Sequence, residues 1–280
     1  MSGRVAVEEQ AHAKVNLGLS VLARRGDGYH EIETLMARLS LADEVRVERA
    51  GSGVLLSVEG ADLPSDERNL ATRAALRYLA EAGAEGVGVA VRLRKRIPLA
   101  AGLGGGSSDA AAVLRALRVL VPAKVDVQRL GLALGSDVPF FLADLPAALA
   151  RGRGERLQPV ALPPLALVLA YPGEAVSAAE AYRALQSFTS RMPLDALVEK
   201  LRSGAEPGFV NALQPGVVRA HPQVREVIKA LRAEGLRGVA MSGSGSCCFA
   251  LAPAEAAAQE AAARLAAAHP SWTVLATRTA

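Results

Sequence analysis

"PLAAGLGGGSSDAAAVL", residues 98–114, joins the most flexible tract of the chain to one of its best helix-forming runs. Pro98 stops what precedes it, because its ring fixes φ and removes a backbone donor. Four of the next eight residues are glycine, and Ser107, Ser108 and Asp109 then lead into an alanine-rich run. Glycine permits positive φ and close approach of the backbone to a ligand. A helix start adds unpaired N–H groups and the positive end of a dipole. Together these predict an anion cradle, and phosphate is the anion that most often needs one. The stretch is not a GxxxxGK[ST] loop, since no lysine follows its glycines. Nor is it a dinucleotide fingerprint, for no parallel βαβ unit with an acidic residue about 20 positions on is evident. Taken alone, the glycines also fit a flexible turn with a serine cap. Asp109 would repel a phosphate unless it caps the helix pointing away or helps to hold a cation.

The 280 residues suffice for one large domain or two modest ones with a sizeable core. Lys plus Arg number 32 and Asp plus Glu 28, a net charge of +4 that suits an enzyme for anionic, phosphorylated substrates. The arginines are scattered and aromatics are few, so nucleic-acid binding is not expected. Cys247 and Cys248 are adjacent, which excludes a disulfide framework and a CxxC metal pair. The N-terminus lacks the apolar core of a signal peptide, and no apolar stretch reaches about 18 residues. A reducing cytoplasm is the expected location, with no membrane span, no structural metal, and a monomer or homodimer as the state.

Around the loop, residues 4–22 read as one or two strands and residues 43–60 as a hairpin about Gly51 and Gly53. Residues 69–83 form an amphipathic helix, and Val87, Val89, Val91 and Leu93 mark a strand that ends at Pro98. Helices are expected to about Val121 and over 126–134. "RGRGERLQPVALPP", 151–164, reads as a connection between domains. Beyond it come a strand at 165–173, helices near 177–186, 193–203 and 222–234, and two apolar runs around a Gly-Ser turn at 238–251. A helix over 254–268 and a strand at 272–278 complete an α+β alternation.

The loop "PLAAGLGGGSSDAA" resembles the second motif of the GHMP kinases, the galacto-, homoserine, mevalonate and phosphomevalonate kinase superfamily. "AKVNLGL", 13–19, is similar to that family's N-terminal motif, and "MSGSGSCCF", 241–249, to its C-terminal glycine-rich turn. "GDGYH", 26–30, "GSDVPFF", 135–141, "RGRGERL" and "YPGEAVSAAEAY" resemble the branch that acts on 4-diphosphocytidyl-2-C-methyl-D-erythritol. The resemblance implies a mixed α/β (α+β) fold of two domains. Residues 1–155 would be a ribosomal-protein-S5-like ATP-binding domain, and 156–280 a ferredoxin-like substrate-binding domain whose final strand can return to the first. It also implies transfer of the γ-phosphoryl of ATP to the tertiary 2-hydroxyl of the methylerythritol unit.

By the same resemblance, Lys14 and Asp137 are the catalytic pair. A carboxylate can orient the hydroxyl and accept its proton, and an ammonium can stabilise charge at the transferring group. Without the resemblance, Asp137 reads as a turn cap and Lys14 as a solvated side chain. Pro98, Leu99, Ala100, Ala101, Gly102, Leu103, Gly104, Gly105, Gly106, Ser107 and Ser108 would wrap the ATP phosphates, with Asn69 and Lys95 near adenine and ribose. Tyr29 would stack on cytosine, His30 bond its polar edge, and Tyr182 close the sandwich; Asn16 would contact the substrate near Lys14. Ala178 stands where the family usually has threonine, a polar contact that Ser177 could supply. Magnesium is expected to arrive with ATP, held mainly by phosphate oxygens and water. A homoserine- or mevalonate-type kinase and an inactive nucleotide-binding regulator remain the other two readings.

Overall fold

The structure, a computed structural model, describes residues Ala6–Ala280; Arg4 and Val5, where the first expected strand begins, lie outside the described residues. Two long strands, β1 (Ala6–Arg24) and β2 (His30–Ala50), precede β3 (Val54–Glu59), α1 (Leu70–Glu81), β4 (Gly88–Arg94) and α2 (Gly105–Leu120). Then come α3 (Val127–Leu134), α4 (Val138–Leu142), β5 (Ala147–Gly152), β6 (Arg156–Pro159) and β7 (Ala166–Tyr171). The remainder is α5 (Ala178–Arg183), α6 (Leu194–Ser203), α7 (Gln214–Ala220), α8 (Pro222–Ala233), β8 (Arg237–Met241), β9 (Cys248–Ala252), α9 (Glu255–Ala268) and β10 (Thr273–Arg278). Two compact units interleave along the chain. One takes residues up to Ala13, Leu41–Ile97 and Gly104–Leu145; the other takes Lys14–Ser40, Pro98–Leu103 and Pro146–Ala280.

In the first unit the expected 43–60 hairpin does not form. β4 pairs antiparallel with Glu44–Ala50 of β2 and parallel with β3, so it lies between the two. Val89, Val91 and Leu93 of β4 are buried, whereas β3 alternates half-buried and exposed residues. The more buried strand takes the central place and β3 the edge. A parallel pair needs a helical crossover, which α1 supplies. Asn69 caps α1 by accepting from Ala71 N at 3.0 Å. Its buried stripe of Ala71, Ala74, Ala75, Tyr78 and Leu79 packs against α2. Burial of Leu79 alone contributes roughly 1.5–3 kcal/mol.

In the second unit Ile32–Ala37 of β2 pair antiparallel with β5, and β5 with β6. The first part of the tract expected as a connection, up to Pro159, is thus a hairpin. Gly152 and Gly154 turn it with φ of 77° and 118°, and Glu155 Oε2 accepts Arg153 N at 2.6 Å. Ala147, Ala148 and Ala150 carry little strand propensity, which hid β5. The second sheet runs β10-β7-β9-β8, every neighbour antiparallel. With α8 and α9 this is the β-α-β-β-α-β arrangement of ferredoxin-like domains, as expected. Val224, Val227, Ile228 and Leu231 of α8 and Ala258, Ala261, Ala262 and Leu265 of α9 bury against Val168, Ala170, Cys248 and Ala250. After β10, Thr279 bridges Leu39, and Ala280 N donates to Arg38 O at 3.0 Å. Helix α7 is absent from the sequence reading; Pro215 in its first turn disguises a helix that tolerates proline there. Among the described residues no helix is long and apolar enough to cross a membrane.

Candidate active site

Lys14 lies in β1, 3 % exposed, where β1 changes from an alternating to a continuously buried strand. Its Nζ donates to Gly102 O at 2.9 Å and to Asn16 Oδ1 at 2.5 Å, and its backbone N–H to Leu103 O at 3.0 Å. Asn16 Nδ2 donates to Thr34 Oγ1 at 2.8 Å, and Thr34 in turn donates to Gly18 O at 2.7 Å. Asn16 is thereby held as a fixed acceptor for the ammonium. The turn after β8 closes the network, since Ser242 Oγ donates to Gly102 O at 3.0 Å. Gly102 has φ of +73°, and a Cβ there would lie 2.1 Å from Ser242 O. Both the left-handed backbone and the contact require glycine. At Gly243 a Cβ would come within 3.1 Å of Lys14 Nζ. Residues from the 13–19, 98–103 and 241–249 motifs therefore share one buried hydrogen-bond network.

Gly104, with φ of +75°, is the N-cap of α2 and offers no side-chain cap. The first N–H groups of the helix are left to another acceptor, as an anion cradle needs. Ser107 is half-buried and Ser108 buried. Asp109 points elsewhere. Its Oδ2 accepts from Lys95 Nζ at 2.6 Å, and the same ammonium bonds Asp43 Oδ2. Asp43 Oδ1 accepts Arg96 N at 2.5 Å and Ile97 N at 2.9 Å. Lys95, Asp43 and Asp109 have side chains no more than 3 % exposed. Burial raises the Asp109 carboxyl to about 7 against the opposing pull of Lys95. Its Oδ1 is buried without a hydrogen-bond partner. The carboxylate that threatened to repel phosphate is engaged by an ammonium. Lys95 accordingly directs its charge inward, and Asn69 spends its amide on Ala71 N and, at 3.0 Å, Pro64 O.

Asp137 precedes α4 as its N-cap residue, yet its side chain makes no capping bond there. Two residues earlier, a Cβ at Gly135 would lie 3.5 Å from Ser107 Oγ, which sets this turn against the start of α2.

His30 and Tyr182 stack, with ring centroids 4.7 Å apart and planes 18° from parallel. Burial, then the Arg24 charge, lowers the His30 pKa, leaving a neutral ring with one donor and one acceptor at pH 7. Tyr29 is 50 % exposed, its N–H donating to Asp27 Oδ1 at 3.1 Å and its ring 4.3 Å beneath the Arg153 guanidinium. Ser177 caps α5 by accepting from Glu180 N at 3.1 Å. That leaves its hydroxyl proton to donate.

Sequence reasoning passed over Asn211 and Glu33. Asn211, 6 % exposed, donates to Met241 O and Gly243 O at 2.8 Å each and so fixes the glycine-serine turn. Glu33, 2 % exposed, accepts from Arg151 at 2.8 Å, Arg191 at 3.0 Å and Met192 N at 2.9 Å. Asn211 stands between Val210 and Ala212, the only local signal it offers, and Glu33, between Ile32 and Thr34, offers none. Among the described residues no three His, Cys, Asp or Glu side chains are grouped to hold a metal.

Residues 69–148 match the GHMP kinases N terminal domain, and residues 181–271 the GHMP kinases C terminal. The chain is 52 % identical over 274 residues to the 4-diphosphocytidyl-2-C-methyl-D-erythritol kinase of Deinococcus radiodurans, covering 95 % of this chain and 91 % of that protein. Identity to the same-named kinase of Thermus thermophilus is 50 % over 268 residues, 95 % of each chain. A crystal structure of a 4-(cytidine 5'-diphospho)-2C-methyl-D-erythritol kinase superposes with a TM-score of 0.87 at 48 % identity, covering 98 % of this chain and 100 % of that one. The loop, the turn and the two sheets are those of a GHMP kinase, and at this identity over nearly its whole length the chain belongs to the 4-diphosphocytidyl-2-C-methyl-D-erythritol kinases, ATP-dependent phosphotransferases of the non-mevalonate isoprenoid pathway.

Proposed function

We propose that this kinase moves the γ-phosphoryl group of ATP to the 2-hydroxyl of 4-diphosphocytidyl-2-C-methyl-D-erythritol, with Lys14 and Asp137 as its catalytic residues. The carrying observation is the convergence of three separated motifs on one buried network around Lys14 Nζ, Gly102 O and Ser242 Oγ. Residues 98–108 supply backbone N–H groups, and the hydroxyls of Ser107 and Ser108, to the triphosphate. Preorganised donors of this kind stabilise developing charge without reorganising during the reaction. Lys14, oriented by neutral oxygens, stabilises charge on the group in transfer. Asp137 orients the attacking hydroxyl and takes its proton.

Asn69 and Lys95 form the scaffold beside the nucleoside. Asn69 does so through the start of α1, and Lys95 through the ion cluster that ties residues 95–97 to α2. The base lies with Tyr29, His30 and Tyr182, where stacking is sequence-tolerant and a neutral imidazole adds an edge contact. Asn16 and Ser177 supply polar contacts to the rest of the substrate. Magnesium, bound through phosphate oxygens and water, supplies charge neutralisation on the triphosphate. The matched segments, 69–148 and 181–271, support ATP binding mainly within residues 1–155 and substrate binding within 156–280, with Tyr29 and His30 lent by the former. Both cysteines are free and buried, burial pushing the Cys247 thiol up to about 12, which suits a reducing cytoplasm.

The test compares ATP consumption with the cytidine substrate, homoserine and mevalonate. Turnover is expected with the first alone. Asp137→Ala is expected to lower kcat by at least about 100-fold with ATP binding retained. Ordinary turnover in that variant would remove Asp137 from the chemistry. Binding of ATP by the wild type without turnover of any acceptor would favour the regulator.

A further inference from the structure

Beside the helix that carries Tyr182, one imidazole sits between two carboxylates. His221, in the bend between α7 and α8, has Nδ1 2.6 Å from Glu174 Oε1 and Nε2 3.0 Å from Glu180 Oε1. The His221 side chain is 12 % exposed, and Glu174 Oε2 is buried without a hydrogen-bond partner. Glu180 belongs to α5, two residues before the Tyr182 ring that stacks on His30. Glu174 stands three residues before the Ser177 cap, and its carbonyl accepts the Ser246 hydroxyl from the glycine-serine turn.

A neutral imidazole carries one N–H, so only one of its nitrogens can donate. With an acceptor oxygen on both sides, the neutral ring must set a lone pair against a carboxylate. The imidazolium satisfies both contacts at once.

We propose that His221 is a positioning residue for the cytosine-stacking ring: as an imidazolium it ties the segment before α5, and α5 itself, to the α7–α8 bend, and so makes recognition of the cytidine substrate depend on pH. This rests on the assignment of His30 and Tyr182 to the base. The titratable groups that face the imidazole are Glu174 from the segment after β7 and Glu180 from α5; Tyr171, at the end of β7, also senses the Glu174 charge. The hydrogen bond to Glu174 is the largest influence on His221, and with Glu180 it outweighs burial and raises the pKa above the usual histidine value. A raised pKa means the clamp is complete below about 6.5, the ordinary histidine value, and is lost as pH climbs through the higher folded value.

The experiment measures kcat and both KM values across roughly pH 6 to 9 for the wild type, His221→Gln and Glu180→Gln. At the acidic end His221→Gln is expected to raise the KM for the cytidine substrate about 2- to 5-fold, the range of a partly exposed ion pair, with kcat and the KM for ATP near wild type. In the wild type that KM should climb with pH until the ratio of variant to wild type approaches one. Glu180→Gln, a surface change that keeps one arm of the clamp, should show a smaller effect of the same sign. A ratio that stays constant with pH, or a KM that His221→Gln and Glu180→Gln leave unchanged, overturns the proposal. Tyr182→Ala separates the two levels. If it raises the same KM and the His221 variant does not, only the clamp fails; if neither raises it, the base-site assignment has failed.

Discussion

Two triads of the same composition, one cation between two carboxylates, behave as different devices because one is sealed and the other is not. In Asp43–Lys95–Asp109 the side chains are no more than 3 % exposed, and the cation is an ammonium. In Glu174–His221–Glu180 the exposures run from 12 % to 41 %, and the cation is an imidazole. Each carries one negative charge in excess when fully ionised. The sealed triad sheds that excess by holding a proton on Asp109, whose carboxyl is pushed up to about 7. The open one leaves its excess to water and titrates at its cation. The first pins the two ends of the glycine-rich segment, Arg96 and Ile97 before it and α2 after it. The second pins α5, the helix that carries Tyr182. A loop that must not move is served by burial, and a contact that can respond to pH by a histidine near the surface.

Removing the cation from the sealed triad should have the largest effect. Lys95→Met fills a similar volume but leaves two carboxylates in a site without water, and breaking a buried ion pair in this way costs about 3–5 kcal/mol. Denaturant unfolding of the folded fraction is expected to show a loss of that size, together with weakened ATP binding. A midpoint within experimental error of wild type would mean that water reaches the cluster and that the contrast with His221 is false.

None of this triad was legible in the sequence. Asp43 and Asp109 stand 52 and 14 positions from Lys95, and no local pattern joins them. What was legible depended on local backbone chemistry. The glycine loop and the Gly-Ser turn between β8 and β9 both announce themselves within a few residues. Strand order did not, because the insertion of β4 between β2 and β3 is decided by which strand buries more apolar surface, a comparison made only in the folded chain. The alanines of β5 gave no strand signal for the same reason: their burial, not their propensity, makes them a strand. The role of Lys14 needed the motif resemblance, since a lysine between Ala13 and Val15 does not say which carbonyl it will meet.

Neutralising the titrating member of the sealed triad should have a smaller, pH-dependent effect. The Asp109 carboxyl has a folded value near 7 against an ordinary 3.8. Its contribution to stability is therefore complete below about 4 and is lost as pH rises through about 7. Asp109→Asn removes that slope while keeping an oxygen for Lys95. Relative to wild type, the variant is expected to gain on the order of 1–2 kcal/mol between pH 5 and pH 8, part of the full linkage being absorbed by Lys95 and Asp43. Parallel stability curves for the two proteins over that range would show that Asp109 is ionised throughout, and the sealed triad would then carry its excess charge as the open one does.

The open triad should yield least when it is broken. His221→Gln keeps a donor and an acceptor at the bend, and the two glutamates it releases are 31 % and 41 % exposed and regain water. Exposed ion pairs of this kind contribute about 0.2–1 kcal/mol, so thermal unfolding near pH 6 is expected to shift by no more than a few degrees. Because the wild-type histidine loses its proton as pH rises through its raised value, the difference should shrink towards zero at the alkaline end. A loss as large as that of Lys95→Met would make His221 a core element that the fold cannot spare. A small, fading loss accompanied by a change in substrate KM is the signature of a histidine that acts on the binding site while contributing little to the fold.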